Sequence, residues 1–117
     1  MSVDQTDVID IIGIDKKTGY VVLTISDHLE WEGDNDHHVI LQEKLNTYLS
    51  FIESGEIYES YPQASGKKFL ISVYGRNEPD EEGLKFLAKV KKIIEEAGFY
   101  FEFILHEESN PFDEHRF

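Results

Sequence analysis

A chain of 117 residues with 40% hydrophobic and 13% aromatic content is long enough to close around one core without staples. Its formal net charge of −13 repels nucleic acid and anionic membrane surfaces and leaves a basic protein as the charged partner it would attract. With no cysteine, disulfides and thiolate metal sites are excluded; no apolar run is long enough for a bilayer, and the opening MSVDQTD lacks a basic start and an apolar core, so a cytoplasmic location is expected.

Residues 1–7 are polar and are expected to fray. Val8 to Asp15 and Tyr20 to Ser26 are rich in β-branched residues, and Lys16-Lys17-Thr18-Gly19 between them reads as a hairpin turn. An acidic loop from Asp27 to Asp36 follows, ending in candidate N-caps Asp34, Asn35 and Asp36. Leu41, Leu45, Tyr48, Leu49 and Ile52 then form one stripe of a helix from about His37 to Ser54, stopped by Gly55. Residues 56–67, with Pro62 and Gly66, read as a surface connection. Phe69 to Tyr74 predicts a third strand. Pro79 suits the first position of a second helix striped by Phe86, Leu87, Val90, Ile94 and Ala97 and stopped by Gly98. Phe99 to Leu105 alternates as a fourth strand, and 107–117 is a polar tail.

The order ββαβαβ, with one apolar stripe per helix, predicts an α+β fold. It is a two-layer α/β sandwich: a four-stranded mixed sheet with two helices on one face, in strand order 1-2-3-4 or 2-1-3-4 with strand 1 antiparallel. A single domain over 1–117, with an ordered core from about 7 to 106, is expected. If Val21, Leu23, Ile25, Phe69, Ile71, Val73, Phe101 and Phe103 meet the helices, the other face presents Tyr20, Val22, Thr24, Leu70, Ser72, Tyr74, Tyr100, Glu102 and Ile104. Tyrosine beside aliphatic and hydroxyl groups is the composition of a partner-binding surface.

Two constellations could carry chemistry. Asp27, His28, Glu30, Glu32, Asp34, Asp36, His37 and His38 crowd into twelve residues, an oxygen and imidazole set from which Asp27, His28, Asp34, Asp36, His37 and His38 could ligate a divalent ion. The order fits neither a calcium loop nor an HExxH helix, so capping and solvation compete as explanations. Trp31 reads as a packing residue closing the loop onto the helix. Asp10 and Glu102 would be a carboxylate pair if the sheet joined them; otherwise both face water. No nucleophile elbow and no phosphate loop is present, so no enzyme activity and no cofactor are expected.

From Thr18 through Gly66 there are nine acids against Lys44 alone, which gives that segment −8 of the −13. The expected function is therefore a non-enzymatic acidic protein-interaction module, of the immunity or antitoxin kind that neutralises a basic protein. Contacts are expected from Tyr20, Val22, Leu70, Tyr74, Tyr100, Ile104, Trp31 and Glu30. A homodimer through the open sheet face is a further expectation, and the rival is a small-ligand or metal-binding protein using the Asp27–His38 loop.

The stretches VIDIIGIDKKTGYVVLTISDHLEW, LQEKLNTYLSFIESGE and IIEEAGFYFEFIL resemble a family of small bacterial proteins known only as a domain of unknown function. The resemblance spans roughly residues 5–106 and implies no catalytic residues; EGDNDHH and the tail HEESNPFDEHRF look like local variation.

Overall fold

A computed structural model of the chain describes residues 3, 5–6, 8–31 and 36–105. The candidate caps Asp34 and Asn35 and the tail 107–117 lie outside the described residues. The elements in order are β1 (Ile11–Ile14), β2 (Val21–Asp27), α1 (His37–Glu53), a short α2 (Glu56–Ser60), a 3-10 turn (Pro62–Ala64), β3 (Phe69–Gly75), α3 (Glu81–Glu96) and β4 (Tyr100–Leu105). The sheet runs β1-β2-β3-β4, with β1 antiparallel to β2 and the other three strands parallel, the first of the two expected orders. Among the described residues no helix is long and apolar enough to cross a membrane.

Period-two alternation sorts the sheet cleanly. Val21, Leu23, Ile25, Phe69, Ile71, Val73 and Phe101 are buried and join Leu41, Leu45, Tyr48 and Ile52 of α1 and Leu87, Val90 and Ile94 of α3 in one core. Leu-to-Ala changes in such a core cost about 2–5 kcal/mol each. The alternate residues of β2, β3 and β4 point to the side that carries no helix.

Four local readings are corrected. The amino-terminal segment does not fray throughout: Val3 is fully buried, and the Gln5 and Thr6 carbonyls accept hydrogen bonds from α1 side chains. β1 is shorter than Val8–Asp15 because Val8 and Asp10 turn towards Lys44 of α1 instead of continuing the ladder. The stretch 56–67 is not a plain connection, since buried Ile57 and Ala64 anchor α2 and the 3-10 turn. Pro79 does not open α3. Asp80 caps it instead, its Oδ1 accepting from the Gly83 amide at 2.8 Å, because a cap that satisfies an orphan donor outweighs proline's preset φ. Asp36 does precede α1, but in left-handed geometry (φ 57°) and without a side-chain cap bond.

Two glycines are set by close approach. A Cβ at Gly75 would run into the Phe103 ring, and one at Gly83 would stand 2.7 Å from the Trp31 indole. Both positions let an aromatic ring approach the backbone more closely than a side chain there would allow.

Candidate functional site

Three rows cross the open sheet face. Val22, Leu70 and Tyr100 are register partners in one; Thr24, Ser72 and Glu102 in the next; Ser26, Tyr74 and Ile104 in the third. Ile11 extends the middle row through its pairing with Thr24. Tyr20 and Tyr100 stack across β3 with ring centroids 5.1 Å apart and planes within 3°. Lys68 Nζ sits 6.0 Å from the Tyr100 ring, at the limit of a cation–π contact. At the centre Ser72 is buried and donates to Glu102 Oε2 at 2.9 Å, so the carboxylate in the middle of the face already has an internal partner. Ile11, Tyr74 and Tyr100 remain 45%, 41% and 37% exposed.

Of the other exposed apolar residues, Ile93 edges an apolar groove between α1 and α3. Leu84 and Ile93 are nine positions apart on α3, half a turn out of phase at about 100° per residue, and so lie on opposite sides of the helix. The sheet face gathers Tyr20, Val22, Leu70, Tyr74, Tyr100 and Ile104 on one surface. Trp31 and Glu30 stand apart from it, beyond the carboxyl end of β2.

That end of β2 holds a second constellation. Asp27 and His37 are both buried, with His37 Nε2 2.6 Å from Asp27 Oδ2, and His37 Nδ1 lies 3.0 Å from the Glu30 carbonyl. A carbonyl only accepts, so Nδ1 carries a hydrogen, and Nε2 and the carboxylate share the other proton between them. Asp27 Oδ1 also accepts from the Leu29 amide. Trp31 covers the imidazole at a centroid distance of 3.9 Å, contacts Phe86 and Phe103, and donates from Nε1 to the Asn77 carbonyl at 3.1 Å. The Asn77 side chain in turn donates to the His28 and Leu29 carbonyls. Trp31 is therefore a packing residue, and this cluster ties the loop after β2 to α1 and to the turn after β3.

The candidate metal ligands are not drawn together. Asp27 and His37 bind each other; His38 stacks on Phe86 at 4.8 Å; His28 and Asp36 are exposed; Asp34 lies outside the described residues. Among the described residues no group of three or more His, Asp or Glu side chains converges. An apolar groove of ≈ 300 Å³ between α1 and α3 is lined by Leu45, Leu49, Phe86 and Val90 and is separate from Asp27 and His37.

Asp10 and Glu102 do not pair either, and Asp10 does not face water. Asp10 is buried against Lys44, whose Nζ is 3.0 Å from Oδ2 and donates to the Gln5 and Val8 carbonyls at 2.8 and 2.7 Å. Those two bonds use two of the three ammonium hydrogens and leave the third for the ion pair with Asp10, although among the described residues neither carboxylate oxygen has a well-directed hydrogen bond. Tyr48 completes the arrangement: its hydroxyl donates to the Thr24 carbonyl at 2.8 Å and accepts from the Asp10 amide at 3.1 Å. Burial, opposed by the Asp10 amide bond and reinforced by the nearby Asp10 charge, pushes the Tyr48 hydroxyl up to about 12.

Lys44 is legible as a core position, because it falls three after Leu41 and four before Tyr48 on the buried stripe. Nothing in the spacing names its partner.

An open mixed sheet with helices on one face and tyrosines on the other defines a small α+β domain with one face that no described helix covers. The chain belongs to a family of unknown function, DUF6572, whose profile matches residues 1–107. Comparison with curated proteins and with solved structures returned no match.

Proposed function

We propose that the chain is a non-enzymatic protein-interaction module. The observation that carries this reading is the open sheet face, where half-exposed tyrosine and aliphatic side chains are held on rigid, parallel strands. Rings with few torsions supply contact area at low entropic cost, which is why such surfaces bind proteins well. The buried ionisable groups are engaged internally, Asp10 with Lys44 and His37 with Asp27 and Glu30.

A second surface supports a basic partner of the antitoxin or immunity kind. Between residues 18 and 66 the only cation, Lys44, is withdrawn into the core, while Glu30, Asp36, Glu43, Glu53, Glu56 and Glu59 are exposed. Among the Asp, Glu, Lys and Arg side chains exposed on the described part of that segment, every one is therefore acidic, a field that steers cationic proteins to it.

Photo-cross-linking in the source cell tests both parts. A photoreactive phenylalanine at position 74 should give protein adducts, one at position 53 should give adducts to basic proteins that high salt removes, and one at position 92 should give neither. A chain that yields no adduct from position 74 is not an interaction module of this kind.

A further inference from the structure

We infer that the occupant of the open sheet face is a second copy of this chain. The inference rests on the interaction-module reading and names the partner. Charge decides between occupants. The chain carries −13, yet at this face the carboxylates Asp15 and Glu102 are balanced by Lys68 and Arg76, and Ser72 already binds Glu102. The cationic Lys68 stands beside Tyr100 at the same face. A basic partner would find almost nothing here to pair with; its complement is on the side of α1 and α2. A near-neutral surface of tyrosine, valine, leucine and isoleucine complements itself under a two-fold axis, where one patch serves both subunits.

Size sets the expected strength. Four strands about 4.8 Å apart and some six residues long at about 3.3 Å give a planar footprint of roughly 400 Å² per copy. Side-chain relief raises the accessible area above this, which still places the pair at the low end of specific interfaces, below about 1,200 Å² in total. The dimer should therefore be weak and reversible. Face-to-face pairing would turn both helical layers outward and leave both acidic surfaces available. Two chains of −13 repel one another, and since the Debye length shrinks from about 10 Å at 0.1 M to about 3 Å at 1 M salt, added salt should strengthen the pair.

Sedimentation velocity on the full chain from low micromolar to about 0.5 mM, at low and at high salt, reads this directly. The mass should rise from 13.6 kDa towards twice that value, with the midpoint moving to several-fold lower protein concentration as salt is raised. Tyr74→Glu and, separately, Tyr100→Glu should hold the chain monomeric throughout while leaving the circular dichroism spectrum unchanged. A monomer at the highest concentration and salt would overturn the inference, as would a dimer that both variants leave intact. Adducts from position 74 to other proteins, with a monomer in sedimentation, would sink the dimer and keep the module; no adducts at all would sink the module.

Discussion

Two buried pairs of ionisable side chains hold α1, and they are built differently. Asp27 and His37 sit at its amino end, each with a further backbone partner, under an indole that shields them from water. Lys44 and Asp10 sit in its middle. There the ammonium is well supplied by two carbonyls and the carboxylate is poorly supplied. The first pair fixes the loop after β2; the second fixes the chain before β1. The difference teaches that a buried charge settles where backbone groups can solvate it, and that its ionic partner need not be its best one.

The Lys44 pair should be the more fragile when one side is removed. Lys44→Ala leaves the Asp10 carboxylate buried without a counter-charge and strands the Gln5 and Val8 carbonyls, so a loss of about 3–5 kcal/mol is expected in urea unfolding. Replacing both partners, Lys44→Met with Asp10→Leu, should recover most of that loss, since an ion pair removed whole costs far less than one broken in half. A double variant as unstable as the single one would show that the carbonyl contacts, not the ion pair, dominate.

At the other pair, His37→Phe keeps the ring under Trp31 but removes both imidazole nitrogens. Asp27 retains the Leu29 amide, so the expected loss is smaller, about 2–3 kcal/mol. Fluorescence of Trp31, the single tryptophan, should respond directly, whereas Lys44→Ala should leave its native-state spectrum in place. Next to this cluster, Gly75→Ala drives a methyl against the Phe103 ring and should cost about 1–2 kcal/mol through strain.

Much of the fold is legible in the sequence, because strands and helices announce themselves by period. Val21, Leu23 and Ile25 against Val22 and Thr24 sort the two sheet faces, and Leu41, Leu45, Tyr48 and Ile52 place α1. What stays hidden depends on single contacts. Ile57 and Ala64 are lone apolar residues in a polar stretch, so no period marks α2. Gly75 and Gly83 read as ordinary turn and helix glycines, because the rings that demand them, Phe103 and Trp31, are distant in sequence. Asp27 and His37 are visible as members of a crowded loop, but crowding along the chain suggests a shared ion, and the fold instead pairs the two with each other.

Tyr48 stands on the Lys44 side of the comparison, where its hydroxyl bridges the Thr24 carbonyl and the Asp10 amide. Tyr48→Phe removes that bridge and should cost about 1 kcal/mol near neutral pH. The sign changes in alkali. In the folded protein the hydroxyl is pushed from 10.0 up to about 12, so the native state holds its proton where the unfolded chain has lost it. Its stabilising contribution is complete below pH 10 and is lost as pH rises through 12, at about 1.4 kcal/mol per pH unit in between. Phenylalanine has no such loss. The two stability curves should therefore converge and cross near pH ~11, the variant being weaker below the crossing and stronger above it, while every other titrating group cancels in the difference. Parallel curves from pH 8 to 12 would show that Tyr48 ionises as readily in the folded protein as in the unfolded chain.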